Sequence, residues 1–384
     1  MPRSHSTKPS PNSPDDAGAR GGGSRAWQQS QQLIELLGQL ARALHPRQIK
    51  IMEVCGTHTV TAQASGLHSI LPENVRLVSG PGCPVCVTPA GYIDQAVDLS
   101  LRPGMHVLTY GDLVRVPGAQ ISLEEARQQG AHVSVVYSAG NALEAARKDR
   151  DTIYVFLGVG FETTTPCTAA AIQLARREGL TNFTVLGAHK LIPPALQVLL
   201  EDESLAIDGF LAPGHVSVIL GSDAYRPVAE QYRRPCVITG FDGVQMLMGM
   251  VRILTQLVAD RPAVENVYLS QITPQGNMQA KELMGEMFRP VSSMWRGLGT
   301  IDASGLELRE SYGRFDARVR FNLPEPVDVV PPGCQCGDVI KGILQPHECG
   351  LFGKACTPAR PVGACMVSRE GACRAFYRYR KVQP

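Results

Sequence analysis

Six of the eleven cysteines lie between residues 334 and 373, in a stretch crowded with glycine and proline that shows neither helical nor strand periodicity. A segment of that kind buries too little apolar surface to order itself, so covalent or metal cross-linking is expected to hold it. Residues 1–26 are rich in Ser, Pro and Gly, include Gly21-Gly22-Gly23 and lack the apolar core of a secretory signal, so a disordered tail on a cytoplasmic protein is expected. In a reducing compartment, clustered cysteines point to metal or redox chemistry rather than to structural disulfides.

From residue 27 to about 260 the pattern is different. An amphipathic helix is predicted at 27–44, and apolar stretches rich in β-branched residues then alternate with helical patterns. Strands are predicted at 75–79, 105–110, 131–137, 152–158, 183–187 and 207–212, with a short apolar stretch at 49–54. Ser122 with Glu125 three positions on forms a capping box before a helix. Strand-helix-strand order favours parallel sheets. The chain is therefore expected to be α/β, with doubly wound parallel-sheet domains at 27–140 and 141–260 and a cysteine-rich C-terminal module at 261–384, where the rhythm fades.

With 384 residues the chain exceeds one hydrophobic core, and it contains no apolar run near the roughly 18 to 20 residues of a membrane helix. Its formal charge of +2 is accounted for by Arg3, Lys8, Arg20 and Arg25 against Asp15 and Asp16. A neutral body gives no electrostatic reason to expect nucleic acid or a membrane surface as partner.

Ligands of such sheets bind in the loops beyond the carboxyl ends of the strands, and the unusual residues of this chain fall in those loops. The loops are Glu53-Val54-Cys55-Gly56-Thr57-His58-Thr59, Gly80-Pro81-Gly82-Cys83-Pro84-Val85-Cys86, Gly160-Phe161-Glu162-Thr163-Thr164-Thr165-Pro166 and Pro213-Gly214-His215. Cys83 and Cys86 make a C-x-x-C in a Gly/Pro turn, a spacing that lowers thiol pKa values and permits reversible disulfides or metal exchange. Cys55 and His58 place a soft thiolate and an imidazole three residues apart, suited to a transition metal or to a nucleophile and its base. Glu162, Thr163 and His215 can hydrogen-bond a charged guest. Cys167 and Cys236 have no cysteine near them in sequence and are expected to be packing residues. For Cys334, Cys336, Cys349, Cys356, Cys365 and Cys373, thiolates suit both zinc and a [4Fe-4S] cluster, and spacing alone leaves both open.

The segments Cys55-Gly56-Thr57-His58-Thr59, Gly80-Pro81-Gly82-Cys83-Pro84-Val85-Cys86, Gly160-Phe161-Glu162-Thr163-Thr164-Thr165-Pro166 and Pro213-Gly214-His215-Val216-Ser217 resemble, in order, the signature blocks of the HypD family of [NiFe]-hydrogenase maturation proteins. So do Pro332-Gly333-Cys334-Gln335-Cys336-Gly337, Leu351-Phe352-Gly353 and Cys365-Met366-Val367-Ser368-Arg369-Glu370-Gly371. The resemblance covers about residues 30–380. It implies a scaffold that assembles iron carrying two cyanides and one carbon monoxide, together with a HypC-type chaperone and a HypE-type cyanide donor. Cys55 would then be the iron ligand and His58 its supporting group, with Cys83 and Cys86 the redox-active dithiol beside them. The C-terminal module would be similar to ferredoxin:thioredoxin reductase, with Cys334, Cys349, Cys356 and Cys373 holding a [4Fe-4S] cluster and Cys336 and Cys365 as exchangeable pair. Two rivals are a disulfide oxidoreductase acting on a protein substrate, which needs neither Cys55 nor His58, and a zinc-stabilised binding module.

Overall fold

The structure is a computed structural model that describes residues 16–268 and 272–379. Its strands in chain order are β1 (Ile49–Glu53), β2 (Val75–Ser79), β3 (Met105–Thr109), β4 (Val133–Val135), β5 (Ile153–Gly160), β6 (Phe183–His189), β7 (Gly209–Pro213), β8 (Cys236–Thr239), β9 (Val264–Asn266), β10 (Phe288–Trp295) and β11 (Gly299–Leu308). One parallel sheet runs β2-β1-β7-β8-β9 and a second β4-β3-β5-β6, while β10 and β11 form an antiparallel hairpin. The predicted strands and the capping box of Ser122 and Glu125 are present, with ends shifted by a few residues at most.

The strand β5 shows why the sequence folds this way. Its run Ile-Tyr-Val-Phe-Leu-Gly-Val-Gly is apolar almost throughout, as a strand covered on both faces must be, and all but Ile153 are buried. The short β8 and β9 and the hairpin were not among the predicted strands. Pro290 and the Ser292-Ser293 pair break the alternation of β10, and the register shifts between Val291 and Ser293.

The sheets do not follow the chain in sequence. β1 and β2 come from the segment expected as the first domain, yet they share a sheet with β7, β8 and β9 from the second; β3 and β4 in turn pair with β5 and β6. The expected boundary at 140 thus cuts across both sheets. A single apolar cluster joins Met52 of β1, Val155 and Leu157 of β5 and Phe210 of β7 to Cys86, Cys336 and Cys365, so the C-terminal module shares a core with the sheets.

The helix expected at 27–44 begins earlier, as α1 (Asp16–Leu44), so residues 16–26 of the expected disordered tail are helical; 1–15 lie outside the described residues. Leu37 and Ala41 of α1 pack in a cluster with Met246, Met250 and Leu254 of the helix Gly243–Ala259. A buried leucine such as Leu37 contributes about 2 kcal/mol, which anchors the helix; each further turn then extends an existing nucleus. No helix among the described residues is long and apolar enough to cross a membrane.

Candidate functional site

Each sheet has one point where the strand order reverses, between β1 and β7 in the first and between β3 and β5 in the second. Crevices beyond such switch points are where open α/β sheets bind ligands. Cys55 follows β1 and is the N-cap of α2 (Gly56–Ala64), and His215 follows β7. Gly82 lies directly on Cys55: a Cβ at Gly82 would collide with the Cys55 backbone, and the Gly82 carbonyl accepts from Gly56 N at 3.0 Å. That approach is open only to glycine, and it brings the C-x-x-C loop onto the Cys55 loop.

Cys55 is buried, and burial, joined by the nearby Glu53 and Glu370 carboxyls, pushes its thiol up to about 12. Glu53, at the end of β1, accepts from Cys55 N at 3.0 Å and from the Thr59 hydroxyl; its burial raises it to about 8. A neutral thiol in such a place needs a metal cation or an opposing charge before it ionises. His58 is fully buried, with Nε2 2.9 Å from the Gly240 carbonyl. Because a carbonyl only accepts, Nε2 carries the proton, and Nδ1, which has no hydrogen-bond partner, keeps its lone pair. Burial lowers His58 to about 4, so the ring is neutral near pH 7. Phe241 stacks on His58 with centroids 5.0 Å apart and meets the exposed His215 at 4.8 Å.

Cys83 caps α3 (Pro84–Val87): its sulfur accepts from Cys86 N at 3.2 Å, with Pro84 in the first helical position where no N–H is needed. Cys83 and Cys86 are both buried. Cys86 is raised well above the ordinary thiol value, by burial and then by hydrogen bonds with Cys365 and Cys83. Cys365 is shifted the other way, lowered by hydrogen bonds first from Cys336 and then from Cys86. Cys365 shares one buried cluster with Cys86 of the C-x-x-C and with Cys336 and Cys373 of the C-terminal set.

All six C-terminal cysteines line one hollow, walled by Val339, Leu351, Phe352 and Met366. No carboxylate or imidazole is among its described lining residues. Cys336 opens the helix Cys336–Ile340, Cys365 sits in Ala364–Val367 and Cys373 in Ala372–Tyr379. Cys373 is raised chiefly by burial, then by Cys336, Cys356, Cys334 and Cys349, all within electrostatic reach of it. A set of soft sulfur donors in an apolar shell fits an iron-sulfur cluster. The module is seated on the strand ends by Glu370, which packs on Gly56 and accepts from Thr57 at 3.3 Å, and by Asp112, which accepts from Ser368 Oγ and Arg369 N at 3.0 Å each.

Glu162 lies at the second switch point. It is fully buried, accepts from Ile192 N at 2.8 Å through Oε1, leaves Oε2 without a partner, and is raised by burial to about 7. The buried Tyr225, bonded to Ser217 at 3.1 Å, lies within electrostatic reach of both Glu162 and Cys55. Thr163 is half-buried in the turn after β5 and joins neither group of thiols by any hydrogen bond recorded among the described residues. Cys236 is fully buried, as expected, but Cys167 is exposed, contrary to expectation. The buried side of its helix, Thr165–Arg177, carries Thr165, Thr168, Ala169, Ala171, Ile172 and Ala175, and position 167 falls outside it. Sequence reading missed Glu53, Glu370 and Asp112. A carboxylate ending an otherwise apolar strand was the available signal for Glu53, whereas Glu370 and Asp112 acquire their role only through tertiary contact.

Fold and site together define an α/β protein of two parallel sheets in which nine of eleven cysteines belong to three adjoining groups at the strand ends. The family model described as "HypD: Hydrogenase formation hypA family" matches residues 28–380. The hydrogenase maturation factor HypD of Escherichia coli is 44% identical over 362 residues, 93% of this chain and 97% of that protein. HypD of Azotobacter vinelandii is 43% identical, over 90% of this chain and 93% of its own length, and that of Rhodobacter capsulatus 41%, over 90% and 94%. The chain belongs to the HypD family of hydrogenase maturation factors.

Proposed function

We propose that the chain is the scaffold on which the iron centre of a [NiFe]-hydrogenase receives two cyanides and one carbon monoxide, working with a HypC-type chaperone and a HypE-type cyanide donor. The iron with its diatomic ligands is cargo, taken by Cys55 and passed on. The observation that carries the reading is the convergence of the thiols: the C-x-x-C loop lies against Cys55, and Cys83 and Cys86 share one buried cluster with Cys336 and Cys365 of the six-cysteine hollow. Soft sulfur suits low-spin ferrous iron that must be bound and then released. His58, neutral and with an unpartnered Nδ1, can accept a hydrogen bond beside the cargo without adding positive charge.

In this reading Cys334, Cys349, Cys356 and Cys373 hold a [4Fe-4S] cluster, and Cys336 and Cys365 form the exchangeable pair. Cys336 is linked to Cys334 as well as to Cys365, and Cys373 lies within electrostatic reach of Cys336 as well as of Cys356, Cys334 and Cys349, so the division into four ligands and a pair rests on the family resemblance. The cluster, when bound, supplies electrons one at a time. The chain's own part is proton and thiol chemistry: opening a Cys83–Cys86 disulfide takes up two protons and the two electrons that a bound cluster would supply in turn, and Cys365, the thiol shifted toward ionisation, is placed to give a proton to Cys86. Burial of both Cys83 and Cys86 disfavours the oxidoreductase alternative, because a protein disulfide must reach an attacking sulfur.

The test is anaerobic co-expression with the partner factors, followed by infrared spectroscopy in the cyanide and carbonyl region and iron and sulfide analysis. Wild-type bands that vanish in Cys55→Ala are expected. Iron and cluster absorption without such bands in either protein would favour the oxidoreductase, and a colourless zinc protein the binding module.

A further inference from the structure

Arg296 is among the largest fully buried side chains, yet its guanidinium is poorly satisfied. Its Nε donates to the Thr88 carbonyl at 2.8 Å, while Nη1 and Nη2 are buried without any hydrogen-bond partner. The acid beside it, Asp328, stands 3.9 Å from Nε and already accepts from the backbone N–H groups of Ala90 and Gly297. Guanidinium stays charged even in such a place, so the site needs an anion that the side chains around Arg296 do not fully provide.

The position says which anion. The Arg296 backbone N–H donates to Val87, the residue after Cys86, at 2.8 Å, and Gly297 packs on Gly337, the residue after Cys336. Arg296 is near enough to pull electrostatically on Cys334 and Cys336, although links among the cysteines and burial hold both thiols above the ordinary value. It is wedged between the C-x-x-C helix and the six-cysteine hollow, held by backbone contacts on both sides.

We propose that Arg296 is a positioning residue that supplies the fixed positive charge for the anionic sulfur site of the C-terminal module and raises its reduction potential. The inference rests on the iron-sulfur reading above. A cluster with thiolate ligands is anionic, and reduction adds a further negative charge, so a fixed cation stabilises the reduced form more; net charge and hydrogen bonding to sulfur are established determinants of such potentials. Nη1 and Nη2 meet no acceptor among the described residues, so the charge reaches the sulfurs through space and not through a hydrogen bond.

The experiment compares full-length wild type, Arg296→Met and Arg296→Lys, reconstituted anaerobically with iron and sulfide and titrated redox-potentiometrically with electron paramagnetic resonance detection. Arg296→Met is expected to weaken the reduction equilibrium by on the order of tenfold, about 59 mV for one electron. Arg296→Lys is expected to restore most of that change. Loss of the cluster in the Met variant with retention in the Lys variant also supports the charge. Equal potentials in wild type and Met variant, or loss of the cluster from both variants, would overturn the proposal and leave Arg296 a packing residue. A wild type that takes up no iron and sulfide would instead sink the cluster reading itself.

Discussion

β5 is buried from Tyr154 through Gly160, whereas between Pro331 and Tyr379 the α-helices are Cys336–Ile340, Ala364–Val367 and Ala372–Tyr379, of five, four and eight residues. Helices shorter than roughly 12 residues have almost no stability of their own. The sheets order their chain by burying aliphatic side chains on parallel strands. In the module, cysteines occupy the positions that leucine or valine would fill elsewhere, and the walls come from Val339, Leu351, Phe352 and Met366. On the proposed reading the sheets stand without a cofactor, while the module, although it shares a core with them, depends for its order on the cluster that its sulfurs would hold.

The sharpest way to break that contrast is to remove the joint. Cys356→Ser combined with Cys373→Ser is expected to abolish iron and sulfide uptake and to strip hydrogen-exchange protection from 334–379, while β5 and β7 keep theirs. A bound metal site can supply roughly 10 kcal/mol of folding free energy, so the loss should be regional and large. Protection of the module that survives in metal-free protein would show that apolar packing suffices there.

The next effect belongs to the seam between body and site. Gly82→Ala sets a methyl group against the Cys55 backbone, which has no side-chain freedom with which to yield. Destabilisation of about 1 to 3 kcal/mol is expected, together with loss of iron binding at Cys55. Gly285→Ala serves as the contrast: it lies in the helix Met278–Met287 with nothing within 4 Å of the added carbon, so it should be neutral or gain up to about 1 kcal/mol. Denaturant midpoints measured side by side decide; equal midpoints would remove the close approach as a constraint.

Much of this is readable in the sequence alone. Strands such as β2 and β5 announce themselves by β-branched runs, and the loops beyond them carry Cys55, Cys83, Cys86, Glu162 and His215 because chemistry in α/β sheets gathers at strand ends. What was not readable is pairing across distance. Local pattern cannot say that β1 lies beside β7, since parallel neighbours are chosen by crossover packing, and so the two sheets interleave where consecutive domains were expected. The link from Cys86 to Cys365 and the wedge of Arg296 are likewise tertiary facts with no local signature.

Glu162, just beyond β5, is a fully buried acid whose carboxyl accepts from Ile192 N. Its carboxyl is raised from 4.5 to about 7 with one oxygen unpartnered. The sign follows: the folded state prefers the protonated acid, so this group's stabilising contribution is complete below about 4.5 and is lost as pH rises to about 7. Glu162→Gln keeps the acceptor for Ile192 N and removes the titration. Between pH 4.5 and 7 the wild type should lose up to about 3 kcal/mol relative to the variant; parallel pH profiles of the two would contradict a buried, titrating Glu162.

Cys167 supplies the smallest effect and the cleanest contrast with the gathered thiols. It is the one exposed cysteine among the eleven, on the solvent side of a helix whose packed face lies elsewhere. Cys167→Ser should change stability by less than about 0.5 kcal/mol, because no core contact or recorded hydrogen bond of the side chain is lost. The informative measurement is therefore reactivity: under brief iodoacetamide treatment of reduced native protein, mass spectrometry should find Cys167 modified first, well ahead of Cys83 and Cys86. Access decides this order, since a thiol must meet the reagent before its ionisation matters. Equal early labelling of Cys83 or Cys86 would mean that the loop lying on Cys55 opens in solution, and the argument from burial against a protein disulfide substrate would fall with it.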